Sequence, residues 1–150
     1  MNGDQAMREM GKNLPVPNFD STPCAPVPQL HNATVAIVTS AAIHQAHDDR
    51  FTAGETGYRI IPSDARDLVM GHWSPNFDHT GFQIDLNVVF PIDRLHELAD
   101  DRVIGRVAPR HISFAGNQPD DVSTVRLDSG PAAAAEMKRD GVDVVLLTPV

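Results

Sequence analysis

Residues 131–150 constrain the fold most. Pro131 suits the first position of a helix, where its missing N–H leaves no bond unmade. Four alanines, Ala132 to Ala135, follow it, then Glu136, Met137, Lys138 and Arg139. The basic pair falls in the last turn, where the helix dipole favours cations. Gly141 is placed to cap the helix end. Asp143 then leads into Val144-Val145-Leu146-Leu147-Thr148-Pro149-Val150. Such an uninterrupted apolar run is expected of a strand buried on both faces. Helix, glycine and apolar strand make the second half of a βαβ crossover, so the sheet should be at least partly parallel. Ligands of such sheets bind at the carboxyl ends of the strands. The last strand brings the chain to such an end without a nucleophile of its own.

The remaining elements fit an α/β body preceded by an arm. Thr34-Val35-Ala36-Ile37-Val38-Thr39 is a second β-branched, apolar run and reads as the opening strand. Tyr58-Arg59-Ile60-Ile61 predicts a strand stopped by Pro62, and Leu68-Val69-Met70 a short third one. A helix is expected from Pro91, with Ile92, Leu95 and Leu98 on its buried face. Residues 103–107 are expected to return to the sheet. Residues 1–33 read as an extended, Pro-rich arm, because Pro15, Pro17, Pro23, Pro26 and Pro28 deny backbone donors to helix and sheet alike. A disordered tail is the other reading of that arm. The expectation is therefore a Rossmann-like, partly parallel sheet flanked by helices over 34–150.

Composition removes several function classes. A formal charge of −8 argues against nucleic-acid phosphates and acidic membrane surfaces. No apolar run reaches the ~18 residues of a membrane span. The start lacks a basic segment followed by an apolar one, so a cytoplasmic protein is expected. The single cysteine, Cys24, allows no internal disulfide and reads as incidental. There is no Gly-x-Gly-x-x-Gly cradle, no Walker loop, no Gly-x-Ser-x-Gly elbow and no Cys-x-x-Cys.

Histidines carry the remaining chemistry. His44 and His47 are three apart, while His72, Asp78, His79 and Asp85 share one loop. Imidazole and carboxylate together suit zinc or iron, which leaves a metal-dependent hydrolase or lyase as one alternative. Ordinary loop polarity is the other, and a non-catalytic binding subunit is a further reading. Asp85 and Asn87 suit a turn or helix entry. Arg94 is expected to pair with Asp93 or Glu97 on the helix surface, and Phe77 and Phe114 to pack.

Several segments resemble the selenoprotein B family of glycine, sarcosine and betaine reductases, together with D-proline reductase. They are Ala33 to His44, Tyr58 to Pro62, Phe77-Asp78-His79 followed by Asp85 to Leu98, Arg110 to Phe114, and Gly141 to Val150. Their shared order covers about residues 27–150. In the family the strand ending Thr-Pro-Val precedes a selenocysteine or cysteine, then further Cys and His, then a second α/β half. The resemblance thus implies that the catalytic residue lies immediately after Val150 and that no cofactor is held here. It also implies a companion subunit carrying a pyruvoyl group, a small amino-acid-like substrate, and the remaining half or a partner subunit of a reductase complex, in an oligomer. An apparent terminus made by a UGA codon, or a cut at the same place, is one expectation for Val150.

A supporting, substrate-binding role is then expected of His44, His72, Asp78, His79, Arg110 and His111. His44 lies just past the first strand. His72, Asp78 and His79 follow the third, on the same side if that strand is parallel. Arg110 offers a bidentate grip on a carboxylate, and histidine can move protons near neutrality. Two departures are visible: His79 stands where the family usually has arginine, and Ser40-Ala41-Ala42 replaces a more glycine-containing stretch.

Overall fold

A computed structural model describes residues 3–13, 25–73, 80–118 and 121–150. Seven strands are present among them: β1 (Thr34–Thr39), β2 (Ile43–Gln45), β3 (Tyr58–Pro62), β4 (Leu68–Met70), β5 (Arg106–Val107), β6 (Arg110–Phe114) and β7 (Val144–Thr148). Four α-helices accompany them: α1 (Gly3–Lys12), α2 (Thr80–Ile84), α3 (Ile92–Asp100) and α4 (Gly130–Arg139).

The main sheet is mostly parallel and β1 is its axis. β1 pairs in parallel with β5, β6 and β7. Val35 faces both Val107 and Val144, and Val38 faces both Ile112 and Leu147. One residue can have only one neighbour on each side. β5 and β6 therefore lie end to end on one edge of β1, with β7 alone on the other. Pro109, which has no N–H, falls at the break between β5 and β6. β3 closes the far side, antiparallel to β6 from Tyr58↔Phe114 to Pro62↔Arg110. Pro62 is accommodated in β3 because that strand is an edge.

The core fills against β1. Ile37, Ile43, Ile61, Phe90 and Ile112 are buried, with Ile92 and Leu95 of α3 packed beside Val35, Val89 and Ile104. α3 starts where Pro91 has φ −75°, as the sequence leads one to expect. Its entry is fixed by Asn87, whose Oδ1 accepts from the Asp93 N–H and whose own N–H donates to Asp85 Oδ1. Arg94 pairs with Glu97 at 2.8 Å. α4 packs on β6 and ends at Gly141, whose φ of +69° only glycine adopts without strain.

Three expectations need correction, and one strand was unforeseen. Residues 3–12 are helical, not extended, because the prolines begin only at Pro15. The Pro-rich stretch from Pro15 to Pro23 lies outside the described residues. β4 does not join the main sheet; it pairs antiparallel with β2 in a separate two-stranded ribbon, Ile43↔Met70 to Gln45↔Leu68. β2 itself was not legible, since Ser40-Ala41-Ala42-Ile43-His44 carries little strand pattern. Finally, β7 is not buried on both faces. Val145, Leu146 and Leu147 are exposed, the last at 67%, because no described element lies beyond this edge.

Candidate functional site

The carboxyl ends of β1, β6 and β7 meet in one place. Thr39 and Thr148, partners across β1 and β7, both donate through Oγ1 to the Val89 carbonyl, at 3.0 and 2.8 Å. The Val150 N–H donates to Ser40 Oγ at 2.8 Å. An open cavity of about 190 Å³ lies here, lined by Val38, Thr39, Ser40, Phe114, Leu147, Thr148 and Pro149. Its walls are mainly methyl, aromatic and proline groups.

After Ser40 the chain turns sharply. Ala42 has φ +54°, Ala41 forms a bridge to Ala115, and the Ala42 N–H donates to the Phe114 carbonyl at 2.9 Å. The Gly71 N–H then donates to the Ala42 carbonyl at 2.9 Å, which docks the end of β4 against this turn. That contact positions His72. A Cβ on Gly116 would stand 2.6 Å from His72 Nε2 and 2.8 Å from the Ser40 carbonyl oxygen. Glycine at 116 thus lets the His72 ring approach the residue that holds Val150. Trp73 stacks on His72 with ring centroids 6.1 Å apart.

A second cavity, about 340 Å³, opens beside the ribbon and is lined by His44, Arg50, Phe51, Val69, Met70, Gly71 and His72. His44 and His72 form its buried side, at 2% and 8% exposure. His44 Nδ1 lies 2.9 Å from the Val69 carbonyl. A carbonyl can only accept, so Nδ1 carries the proton and a neutral ring leaves Nε2 as an acceptor. Arg59 sits over the Phe51 ring at 4.3 Å and is itself held by Glu55 at 2.7 Å.

The fold brings His44 and His72 together, although the route expected for His72 was different. The antiparallel ribbon places it, not a parallel third strand. Asp78 and His79 lie outside the described residues. Arg110 sits at the opposite end of the sheet, since it begins β6 while Phe114 ends it. Its guanidinium is held by Asp140 through two bonds of 2.8 and 2.7 Å, with Glu136 at 3.1 Å. The pairing holds the Asp140 carboxyl below its ordinary range and raises Arg110 further.

His111 is buried in the sheet. Its Nδ1 accepts from the Ile37 N–H at 3.0 Å, which satisfies a β1 donor beside the Pro109 break. Its ring meets Phe90 edge-on at 5.4 Å. Burial, assisted by the nearby His96, pushes its pKa down to about 4, so the ring is neutral at physiological pH. Among the described residues no three His, Cys, Asp or Glu side chains gather as a metal would require.

Arg50, Phe51, Ser40 and Gly116 were missed by sequence reasoning. Arg50 and Phe51 stand in a polar loop that lacks periodicity. Gly116, following a strand and preceding a polar loop, reads as an ordinary strand stop.

Comparison with known proteins decides the family. The profile of glycine/sarcosine/betaine reductase selenoprotein B matches residues 5–150. The chain belongs to this family. It is 38% identical to D-proline reductase subunit gamma of Acetoanaerobium sticklandii over 123 residues, 80% of this chain and 50% of that protein. It is 30% identical over 146 residues to glycine reductase complex component B subunit gamma of Carboxydothermus hydrogenoformans, 90% of this chain and 32% of that one. A betaine reductase complex component B subunit beta of Peptoclostridium acidaminophilum is 26% identical over 147 residues, 93% of this chain and 33% of that one. The chain therefore spans between a third and a half of the length of these relatives. No solved structure matches it.

Proposed function

We propose that this chain forms the amino-terminal scaffold and part of the substrate pocket of a selenol- or thiol-dependent reductase that cleaves carbon–nitrogen bonds of small amino-acid-type substrates. Family membership supports the reductase-complex reading, because the relatives are named as subunits of D-proline, glycine and betaine reductases. The metal-dependent alternative is not favoured by those relatives.

The observation that carries the reading furthest is the Val150 N–H bonded to Ser40 Oγ, at the end of the sheet where Gly116 also brings His72. In the proposal the selenocysteine or cysteine follows Val150 and enters beside this cluster. A low-pKa chalcogen there supplies a nucleophile ionised near neutral pH. His44 and His72 flank the substrate, and the loop of Asp78 and His79 belongs to the same expectation. Arg110 is held by Asp140 and Glu136 at the opposite end of the sheet, and His111 is buried with Nδ1 on the Ile37 N–H and Nε2 without a hydrogen-bond partner, so the pocket role proposed here rests on His44 and His72.

The exposed Val145, Leu146 and Leu147 support a partner on the β7 side, since parallel sheets are normally covered. That partner is the remaining half or a separate subunit, with the pyruvoyl group on a companion chain. A cytoplasmic setting is part of the proposal; among the described residues no helix is long and apolar enough to cross a membrane.

The test begins with the gene beyond codon 150. The expected continuation is a UGA or cysteine codon, then a Cys/His motif. The extended protein should support dithiol-dependent reduction of D-proline, glycine or betaine with its companion subunits, whereas the 150-residue chain alone should show none. Turnover by the short chain, or an extension without Cys or selenocysteine, overturns the reading.

A further inference from the structure

We propose that the cavity beside the β2–β4 ribbon binds an amino acid whose amine still bears an N–H, with Arg50 taking the carboxylate and His44 Nε2 accepting from the amine. The ligand class rests on the reductase reading above; the two recognition groups follow from the cavity itself.

The first group is Arg50. It lines the cavity and is exposed at its mouth. Arg59, Arg94, Arg110 and Arg139 are each paired with a carboxylate. Arg50 has no such partner among the described residues. A guanidinium is the donor best matched to a carboxylate, through two parallel N–H bonds. The neighbouring acids do not reach it: Asp48 accepts from the Gln45 N–H and faces His47, which also faces Asp67. A dianionic phosphate would meet only this one cation, in a chain of net charge −8.

The second group is His44. The Val69 carbonyl fixes its proton on Nδ1, so in the neutral ring Nε2 can only accept. No described residue donates to it. A carboxylate alone cannot satisfy an acceptor, so a ligand needs an N–H as well. Glycine, sarcosine or D-proline carries one; a quaternary ammonium does not. Quaternary amines elsewhere rely on open aromatic faces. Here one face of Phe51 is already covered by the Arg59 guanidinium. A cavity of about 340 Å³ suits a ligand of this size.

Trp73 is the single tryptophan and stacks on His72 at the cavity edge, so its fluorescence reports occupancy without turnover. The purified chain should be titrated with D-proline, glycine, betaine, acetate and methylamine. D-proline and glycine should give a saturable change. Betaine, acetate and methylamine should bind at least tenfold more weakly. Arg50→Gln, at an exposed position, should weaken D-proline at least tenfold, while Arg94→Gln should leave it unchanged. The absence of any saturable response, or full affinity in Arg50→Gln, overturns the site. Betaine binding as tightly as D-proline overturns the N–H requirement. An intact binding response in a chain whose extended form reduces nothing sinks the reductase reading alone.

Discussion

β1 and β7 lie side by side in parallel register and read alike, Thr-Val-Ala-Ile-Val-Thr against Val-Val-Leu-Leu-Thr. Their fates differ. Every residue of β1 except Val38 is buried, while Val145, Leu146 and Leu147 of β7 are exposed. β1 has β5 and β6 on one edge and β7 on the other. β7 has only β1. Apolar composition makes a strand able to be buried; neighbours on both edges and both faces decide whether it is.

The largest effect expected from this contrast is in the centre. Ile37→Ala should lose about 4 kcal/mol in urea unfolding, because the side chain is fully buried and the cavity left behind cannot fill. A loss under about 1 kcal/mol would mean that β1 is not the axis of the core.

Next comes the acid sensitivity of the same strand's partner. His111 stays neutral in the fold down to about pH 4, whereas an unfolded histidine protonates near ~6.5. Between those values unfolding takes up a proton, so stability should fall as pH falls, by about 3 kcal/mol in all. His111→Asn keeps an acceptor for the Ile37 N–H but cannot titrate. It should flatten the stability profile in that window. An unchanged slope would assign the acid loss to other groups.

Gly116→Ala sharpens the comparison at the strand ends. The new Cβ would press on His72 Nε2 and the Ser40 carbonyl. The expected loss is about 2 kcal/mol, with a shift in Trp73 emission as the stacked His72 ring moves. Wild-type emission and stability would show that His72 does not sit against this turn.

The smallest effect belongs to the open edge. Leu147→Ser should change the stability of the 150-residue chain by less than about 0.5 kcal/mol, since the side chain is 67% exposed. In the extended protein or the complex it should cost much more, because an apolar side chain is then buried against the added partner. Equal, small effects in both contexts would leave β7 a free surface.

The candidate site shows what sequence reading places and where it stops. His44 was singled out because it follows a strongly patterned strand, and it lines a cavity with His72. The route expected for His72 was wrong, since an antiparallel ribbon, not a parallel third strand, carries it to that cavity. Arg110 looked available on paper, and only the fold brings Asp140, thirty residues away, onto its guanidinium. His111 was singled out beside Arg110 in a segment that resembles the family; in the fold it is buried in β6, with Nδ1 accepting from the Ile37 N–H. Arg50 escaped notice because nothing in its loop marks which cation will lack a partner.

By itself the sequence determined the parallel βαβ ending, the opening strand, the proline-led helix and the Asn87 entry to it. Each depends on residues within one or two turns of each other, where propensity and capping act directly. It also determined the family, through the order of its motifs. Tertiary structure alone decided that β1 is central and β7 open, that His44 and His72 share a cavity while Arg110 is held at the opposite end, and that Gly116 admits a ring. Those outcomes depend on side chains far apart in the chain competing for the same space and the same hydrogen bonds.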